Sequence, residues 1–420
     1  MPNPMETALP PFISTADSGS FAMRTIMERK PRIIERVLAT NIMPPNAEEA
    51  LKALAREIRE GTVEDPFTAE DFDRSAFENG ELRSWEREIA RHAGARWLAL
   101  PWYFAQAYFY LRLLFAFGWY ARPPAGRDPF HAQKEQELTG PGGGRETARG
   151  IAARKDDLRV LLHAALWGNR VDLGNFELDE TCRRSIFETG RTNLLIDHTE
   201  SALTALSDAR EVHFILDNAG PELVCDLLLA ECLMQKGGIG ASGTPSIVLH
   251  VKRSPFFVSD AMAKDVTRAV EALSADGDRE VAGIGLRLGE AIACGRLTVA
   301  EHWFWNSPLH FTEFPSDLRL ALSQADLVLV KGDANYRRLL EDRKWETWRV
   351  MEELAHQFPA PFVALRTMKS EIVVDVLREE AAVISREDPG WLIDGRRGII
   401  RHCVPRRRPR GSPSSADRTV

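Results

Sequence analysis

The run VHFILDNAGPELVCD, residues 212–226, decides how this chain is read. An apolar stretch of strand length ends abruptly in Asp217-Asn218, a glycine follows two residues later, and a helical pattern then continues to about residue 235. Strand, polar loop and helix in that order make one βα unit. The same grammar recurs outward along the chain. Strands are expected at 246–251, 327–330 and 361–365, with helices at 260–273 after the first and 334–340 after the second. Repeated βα units predict a parallel sheet with helices on both faces, a three-layer α/β/α architecture, and they put ligands at the carboxyl ends of the strands.

Upstream the period changes. Residues 49–60, 84–92 and 103–119 read as helices, so the fold class is α/β: a mostly parallel sheet plus an N-terminal all-helical region. The expected divisions are a flexible N-terminus (1–19), a helical accessory region (20–138), an α/β/α domain (139–404) and a disordered basic tail (405–420). TGPGGG at 139–144 concentrates glycine and proline and reads as a mobile loop, a hinge or lid. The tail PRRRPRGSPSSADRTV is too poor in apolar residues to pack.

Composition narrows the function classes. With 420 residues, 44% hydrophobic and 27% charged, the chain can bury a large core. A net charge of -7 supplies no overall positive field for nucleic acid or an anionic membrane, so any phosphate recognition must be local. The five cysteines form no CxxC pair and read as reduced thiols. No stretch reaches the roughly 18 apolar residues of a membrane span, and no signal-like segment opens the chain, so a cytoplasmic location is expected.

Four strand ends carry chemistry. Asp217 and Asn218 offer a carboxylate and an amide oxygen, the donors that hard divalent cations take; they are equally suited to capping the next helix. Asp260 after the second strand would add a third oxygen, although Ser259-Asp260 before a helix also reads as an N-cap. After the third strand come Lys331, Gly332, Asp333 and Asn335; after the fourth come Arg366 and Lys369. These are cations and a flexible glycine suited to phosphate, though not in a Walker pattern. LWGNRVDL (166–173), with Asn169 and Arg170, either lines a pocket or ends a helix, and HWFWNSPLHFTEFP (302–315) reads as aromatic core.

Taken in order, SFAMRTIMERKPRII, WYFAQAYFYLRLL, LWGNRVDL, ILDNAGPEL, PFFVSD, WFWNSP, KGDANYRRL, LRTMKSE and DGRRGII resemble the damage-control phosphatase family, in its long eukaryote-type subfamily, also described as a protein-glutamate methyltransferase. The resemblance runs nearly end to end. It implies a divalent metal (manganese, cobalt or nickel, with magnesium as a further option) held by Asp217, Asn218 and Asp260 at the base of a deep pocket. It also implies substrate contacts from Lys331, Asp333, Asn335 and Lys369. Gln106 stands where the family carries an acidic residue, and Arg396 replaces an expected lysine.

The expected function is metal-dependent hydrolysis of phosphate monoesters of small metabolites, such as fructose 1-phosphate. Asp217 and Asp333 are the catalytic carboxylates, Asp333 being preferred as general base because a metal-bound aspartate is a poor one. Asn169, Arg170, Lys331, Asn335, Arg366 and Lys369 are the expected substrate-binding residues. Two rivals stand beside this reading. One is an S-adenosylmethionine-dependent methyltransferase, for which GGIGASG (237–243) is the only glycine-rich candidate, preceding a strand instead of following one. The other is a non-catalytic metabolite-binding protein.

Overall fold

The computed structural model describes residues 9–124, 126–168, 193–236 and 246–406. Its centre is a seven-stranded sheet of β1 (Leu194–Asp197), β2 (Glu211–Ile215), β3 (Ser246–Val251), β4 (Leu297–Glu301), β5 (Leu327–Lys331), β6 (Phe362–Thr367) and β7 (Gly398–Cys403). The strand order is β1-β7-β6-β5-β2-β3-β4. Every neighbouring pair is parallel except β6 and β7.

Side-chain alternation divides each central strand between two cores. Val212, Phe214, Leu249, Leu327, Leu329 and Val363 pack into one cluster. Ile215, Val328, Val330, Phe362 and Ala364 pack into the other. Burial on both faces is why these strands read as nearly continuous apolar runs. The first face is covered by helices, including those at Leu158–Trp167, Pro221–Lys236, Ala263–Ser274 and Arg279–Ala293.

The second face is covered largely by the N-terminal helices. A helical run starts at Phe21–Arg24, passes through a π-helical turn at Thr25–Arg29 and continues as α1 (Lys30–Thr40). It is followed by α2 (Pro45–Glu60), α3 (Asn79–His92) and α4 (Trp102–Phe117). Helix α4 is buried on almost every side, which is what its unbroken apolar sequence requires. Among the described residues no helix is long and apolar enough to cross a membrane. Polar clasps join these helices to the sheet: Asp342 Oδ2 accepts from Tyr103 N at 2.9 Å, and Arg253 reaches Glu81 at 3.3 Å.

The 139–144 segment departs from the mobile loop expected of it. It is a tight turn between α5 (His131–Thr139) and α6 (Gly144–Ile151), with Gly142 N donating to Glu146 at 2.9 Å. A Cβ on Gly144 would lie 2.7 Å from Val224 Cγ2, so the glycines permit close helix packing and form no lid. Asn169, Arg170, the GGIGASG segment and tail residues 407–420 lie outside the described residues.

Candidate active site

The floor of the site is made by backbone pairing beyond the ends of β2 and β3. The ladder continues past β2 with Leu216 N donating to His250 O at 3.1 Å. The chain after β3 then turns back, so that Ala261 N donates to Asp217 O at 2.8 Å and Ala219 N to Ser259 O at 2.6 Å. Asn218 and Asp260 thereby face each other as an antiparallel bridge. Two residues 42 positions apart are held side by side by main-chain bonds, independent of any ligand.

Neither aspartate caps a helix. The helix after β2 starts with Pro221 and is preceded by Gly220 at a φ of 72°, while Asn218 Oδ1 accepts from Ser259 Oγ at 2.5 Å. The helix after Asp260 is closed by Asp265, whose carboxylate accepts from Met262 N at 2.9 Å. The capping alternative for Asp217, Asn218 and Asp260 is not what these side chains do.

The charges collected here are unusual for a buried site. Asp217, Glu222 and Asp260 are all buried. Burial pushes the Asp217 carboxyl well above its ordinary value, and the carboxylates of Glu222 and Asp260 push it further. Burial also raises Asp260, against the pull of the Lys252 and Lys134 ammoniums. Lys252 Nζ pairs with Asp260 Oδ2 at 3.1 Å. Asp217 forms no ion pair among the described residues, and a buried carboxylate left without a countercharge beside two more acids is what a cation would neutralise. The donor types, two carboxylates and an amide oxygen, fit a hard divalent ion. Among the described residues no group of three Asp, Glu, His or Cys side chains is placed to hold a metal ion, so any such ion would need the Asn218 amide oxygen as a ligand beside the carboxylates.

Above the floor lies a cavity of about 160 Å³. Asp217, Asn218, Ser259 and Asp260 line it from below, and Asp333 and Lys369 line it from the ends of β5 and β6. Gly332 makes this closeness possible: its φ is 81°, and a Cβ there would fall 2.1 Å from Asp217 Oδ2. Asp333 is fixed through one oxygen. Oδ1 accepts from Arg366 Nε at 2.7 Å, Ser370 Oγ at 2.9 Å and Lys369 N at 3.3 Å.

Three expected substrate residues stand elsewhere. Lys331 is fully buried behind the rim, paired with Glu222 at 3.0 Å and Asp226 at 3.1 Å and donating to Ala165 O. Burial alone would lower its ammonium, but Asp226 and Glu222 outweigh that and hold it above the ordinary lysine value. Asn335 is buried, donating to Lys331 O at 2.9 Å and Leu216 O at 3.3 Å. Arg366 is buried against Tyr336 and committed to Asp333, Ser370 and Ile372 O. These three brace the rim, and none lines the cavity. Trp305 and Asn306 are core, as their aromatic setting predicts; Asn306 Oδ1 accepts from Arg253 N at 2.8 Å.

Sequence reasoning missed most of the opposite wall. Thr25 and Arg29 line the cavity from the π-helical turn and Trp102 from the first turn of α4, beside Gln106, the one residue of this wall that the family resemblance singles out. Arg337 joins them, clamped by Asp342 at 2.7 and 2.8 Å and stacked 3.6 Å over Trp102. Phe257 completes the wall with a φ of 45°, followed by Val258 at 73°, a strained backbone of the kind that persists where packing over-determines it. Glu222 had a sequence signal: it is an acidic residue four positions after Asn218, at the start of the next helix, and its Oε2 accepts from Asn218 Nδ2 at 2.9 Å.

Comparison with known proteins shows the family. The profile of the damage-control phosphatase ARMT1-like domain matches residues 25–383. Damage-control phosphatase ARMT1 of Mus musculus is 28% identical, with 94% of this chain and 99% of that protein covered. The Homo sapiens protein of the same name is 28% identical with the same coverage, and that of Danio rerio is 29% identical, covering 96% and 99%. The crystal structure of a DUF89 family protein from Pyrococcus horikoshii superposes with a TM-score of 0.49 at 14% identity, covering 91% of this chain and 97% of that one. The match extends over most of the chain, and the chain belongs to the damage-control phosphatase ARMT1-like family.

Proposed function

We propose that this protein is a metal-dependent phosphatase that hydrolyses phosphate monoesters of small metabolites, sugar phosphates such as fructose 1-phosphate among them. The observation that carries the reading is Asp217, a buried carboxylate with no ion-pair partner among the described residues, beside Asn218 and Asp260 and directly below a cavity rimmed by Lys369 and Asp333. The relatives' shared name, damage-control phosphatase, points the same way.

Asp217, Asn218 and Asp260 would hold a manganese, cobalt, nickel or magnesium ion. When bound, such an ion supplies Lewis acidity and positive charge against the phosphoryl oxygens. Lys369 and Arg29 add positive charge from the two walls and orient the phosphate. Asp333 takes the proton of the attacking water: it lines the cavity, is not among the proposed ligands, and is held in one orientation by Arg366, Lys369 and Ser370. Trp102 and Phe257 exclude bulk water from the same space. Asn169 and Arg170 belong to the substrate-binding set in this reading.

The test is phosphate release over a panel of sugar phosphates, run with each of the four metals and with Asp217→Ala alongside. Wild type is expected to release phosphate only when metal is present. Equal release by wild type and Asp217→Ala would overturn the assignment.

A further inference from the structure

Beside the catalytic cavity lies a second one of about 240 Å³, and the two share Arg29, Phe257 and Ser259 in their walls. The second is lined by Arg29, Arg32 and Arg36, and by no aspartate or glutamate. That composition is notable in a chain of net charge -7. The three arginines are spaced i, i+3 and i+7, which aligns them on one face of the helical run.

Their guanidiniums are largely uncommitted. Among the described residues Arg29 and Arg32 form no ion pair, and Arg36 donates only to the neutral Gln133 amide at 3.2 Å. Elsewhere around the active site arginines are used up: Arg337 is paired to Asp342 and Arg366 to Asp333. A buried probe of the local field sits alongside. Burial first, and then the charges of Arg29 and Arg337, push the Lys30 ammonium well below the ordinary lysine value. The aromatic side of the groove comes from Phe130 and Phe257, the latter on the strained segment that also walls the catalytic cavity.

We propose that this groove is an outer anion subsite, so that the preferred substrate carries a second anionic group, a phosphate or a carboxylate, beyond the ester phosphate to be hydrolysed. Arg29 stands at the junction, while Arg32 and Arg36 receive the second group through charge-assisted hydrogen bonds. The substrate class is a sugar bisphosphate or a phosphorylated sugar acid. This rests on the phosphatase reading above for the position of the first phosphate.

The experiment is isothermal titration of a hexose monophosphate, the matching hexose bisphosphate and the matching phosphohexonate into wild type and into Arg32→Gln/Arg36→Gln. The quantity read is the affinity ratio of each doubly anionic ligand to the monophosphate within one protein, so any loss common to all ligands cancels. Wild type is expected to favour at least one doubly anionic ligand by roughly ten- to a hundredfold, and the double variant to bring the ratio near one. Equal affinities in wild type, or a preference that survives in the double variant, overturn the subsite. Turnover of the same ligands separates the two readings. A binding preference with no phosphate release at any metal breaks the catalytic assignment and leaves the subsite standing; release without the preference does the reverse.

Discussion

The two walls of the catalytic cavity are built on opposite plans. The sheet side is acidic, buried and fixed by main-chain bonds: Asp217, Asn218 and Asp260 occupy positions that backbone pairing dictates. The helical side is basic and lies nearer solvent: Arg29 reaches the cavity, and Arg32 and Arg36 follow it, exposed, along the same run into the neighbouring groove. Rigid donors at strand ends suit chemistry, where reacting groups must be held within fractions of an ångström. Exposed arginines on a helix suit selection among ligands, where charge matters more than exact placement. On the proposed reading, the difference is that the same phosphorylated ligand is activated by one layer of the fold and chosen by another. Substitutions should then separate into those that destroy turnover or stability and those that alter preference alone.

The largest effect is expected at the floor. Asp217→Ala should reduce metal-dependent turnover by roughly a thousandfold or more, and it should also lack the rise in melting temperature expected of wild type on adding manganese. Measuring both matters. A variant that keeps the thermal response but loses turnover would move Asp217 from ligand to purely catalytic duty, and the acidic wall would no longer be a metal wall.

Next comes the brace behind the rim. Lys331→Met leaves Glu222 and Asp226 buried without their cation, and Asp226 is already pushed up to about 7 by burial, with Lys331 the main opposing influence. Removing one partner of a buried pair costs about 3–5 kcal/mol, which urea unfolding would read directly. Because Glu222 also holds the Asn218 amide, metal affinity should fall with stability in this variant. Lys331→Met with unchanged stability would show that the rim does not depend on this triad.

Lys331 also shows where the sequence stops being informative. The four strand ends were legible because apolar runs break sharply into polar residues, and β3 spans the residues 246–251 that its pattern marks out. The side to which each polar residue points was not legible. Lys331 continues the alternation of Leu327 and Leu329, which pack toward the helix carrying Glu222 and Asp226, so it joins that face and not the cavity. Asp333, two residues on, is past the strand and reaches the cavity. Strands β1, β4 and β7 escaped notice for a related reason. β1 and β4 are edge strands with mixed exposure and lack the doubly buried apolar run, and β7 carries Arg401 and His402 in its middle. The arginine groove was hidden because charges at helical spacing read equally well as a solvated face.

The contact between the N-terminal helices and the sheet layer should show itself in pH dependence. Glu81 of α3 is pushed up to about 7 by burial, against the pull of Arg253. Its folded value lies above its unfolded one, so the folded protein holds the extra proton between about pH 4.5 and pH 7. Stability from this group is full below the lower value and is lost as pH rises through the upper. Glu81→Gln should flatten that slope, worth about 2–3 kcal/mol across the window, in urea unfolding followed from pH 5 to pH 8. An unchanged slope would place the pH-sensitive group elsewhere than at this contact.

The smallest effect is expected on the basic wall, and its smallness is the informative part. Arg32 is exposed and forms no ion pair among the described residues, so Arg32→Gln should change unfolding free energy by no more than about 0.5 kcal/mol. Removing one of three neighbouring positive charges relieves repulsion, so any shift should be toward greater stability, and it should shrink as salt is added. A clear loss of stability on this substitution would mean that the guanidinium is held by the fold. It would then be a structural group, no more available to a ligand than Arg337 or Arg366.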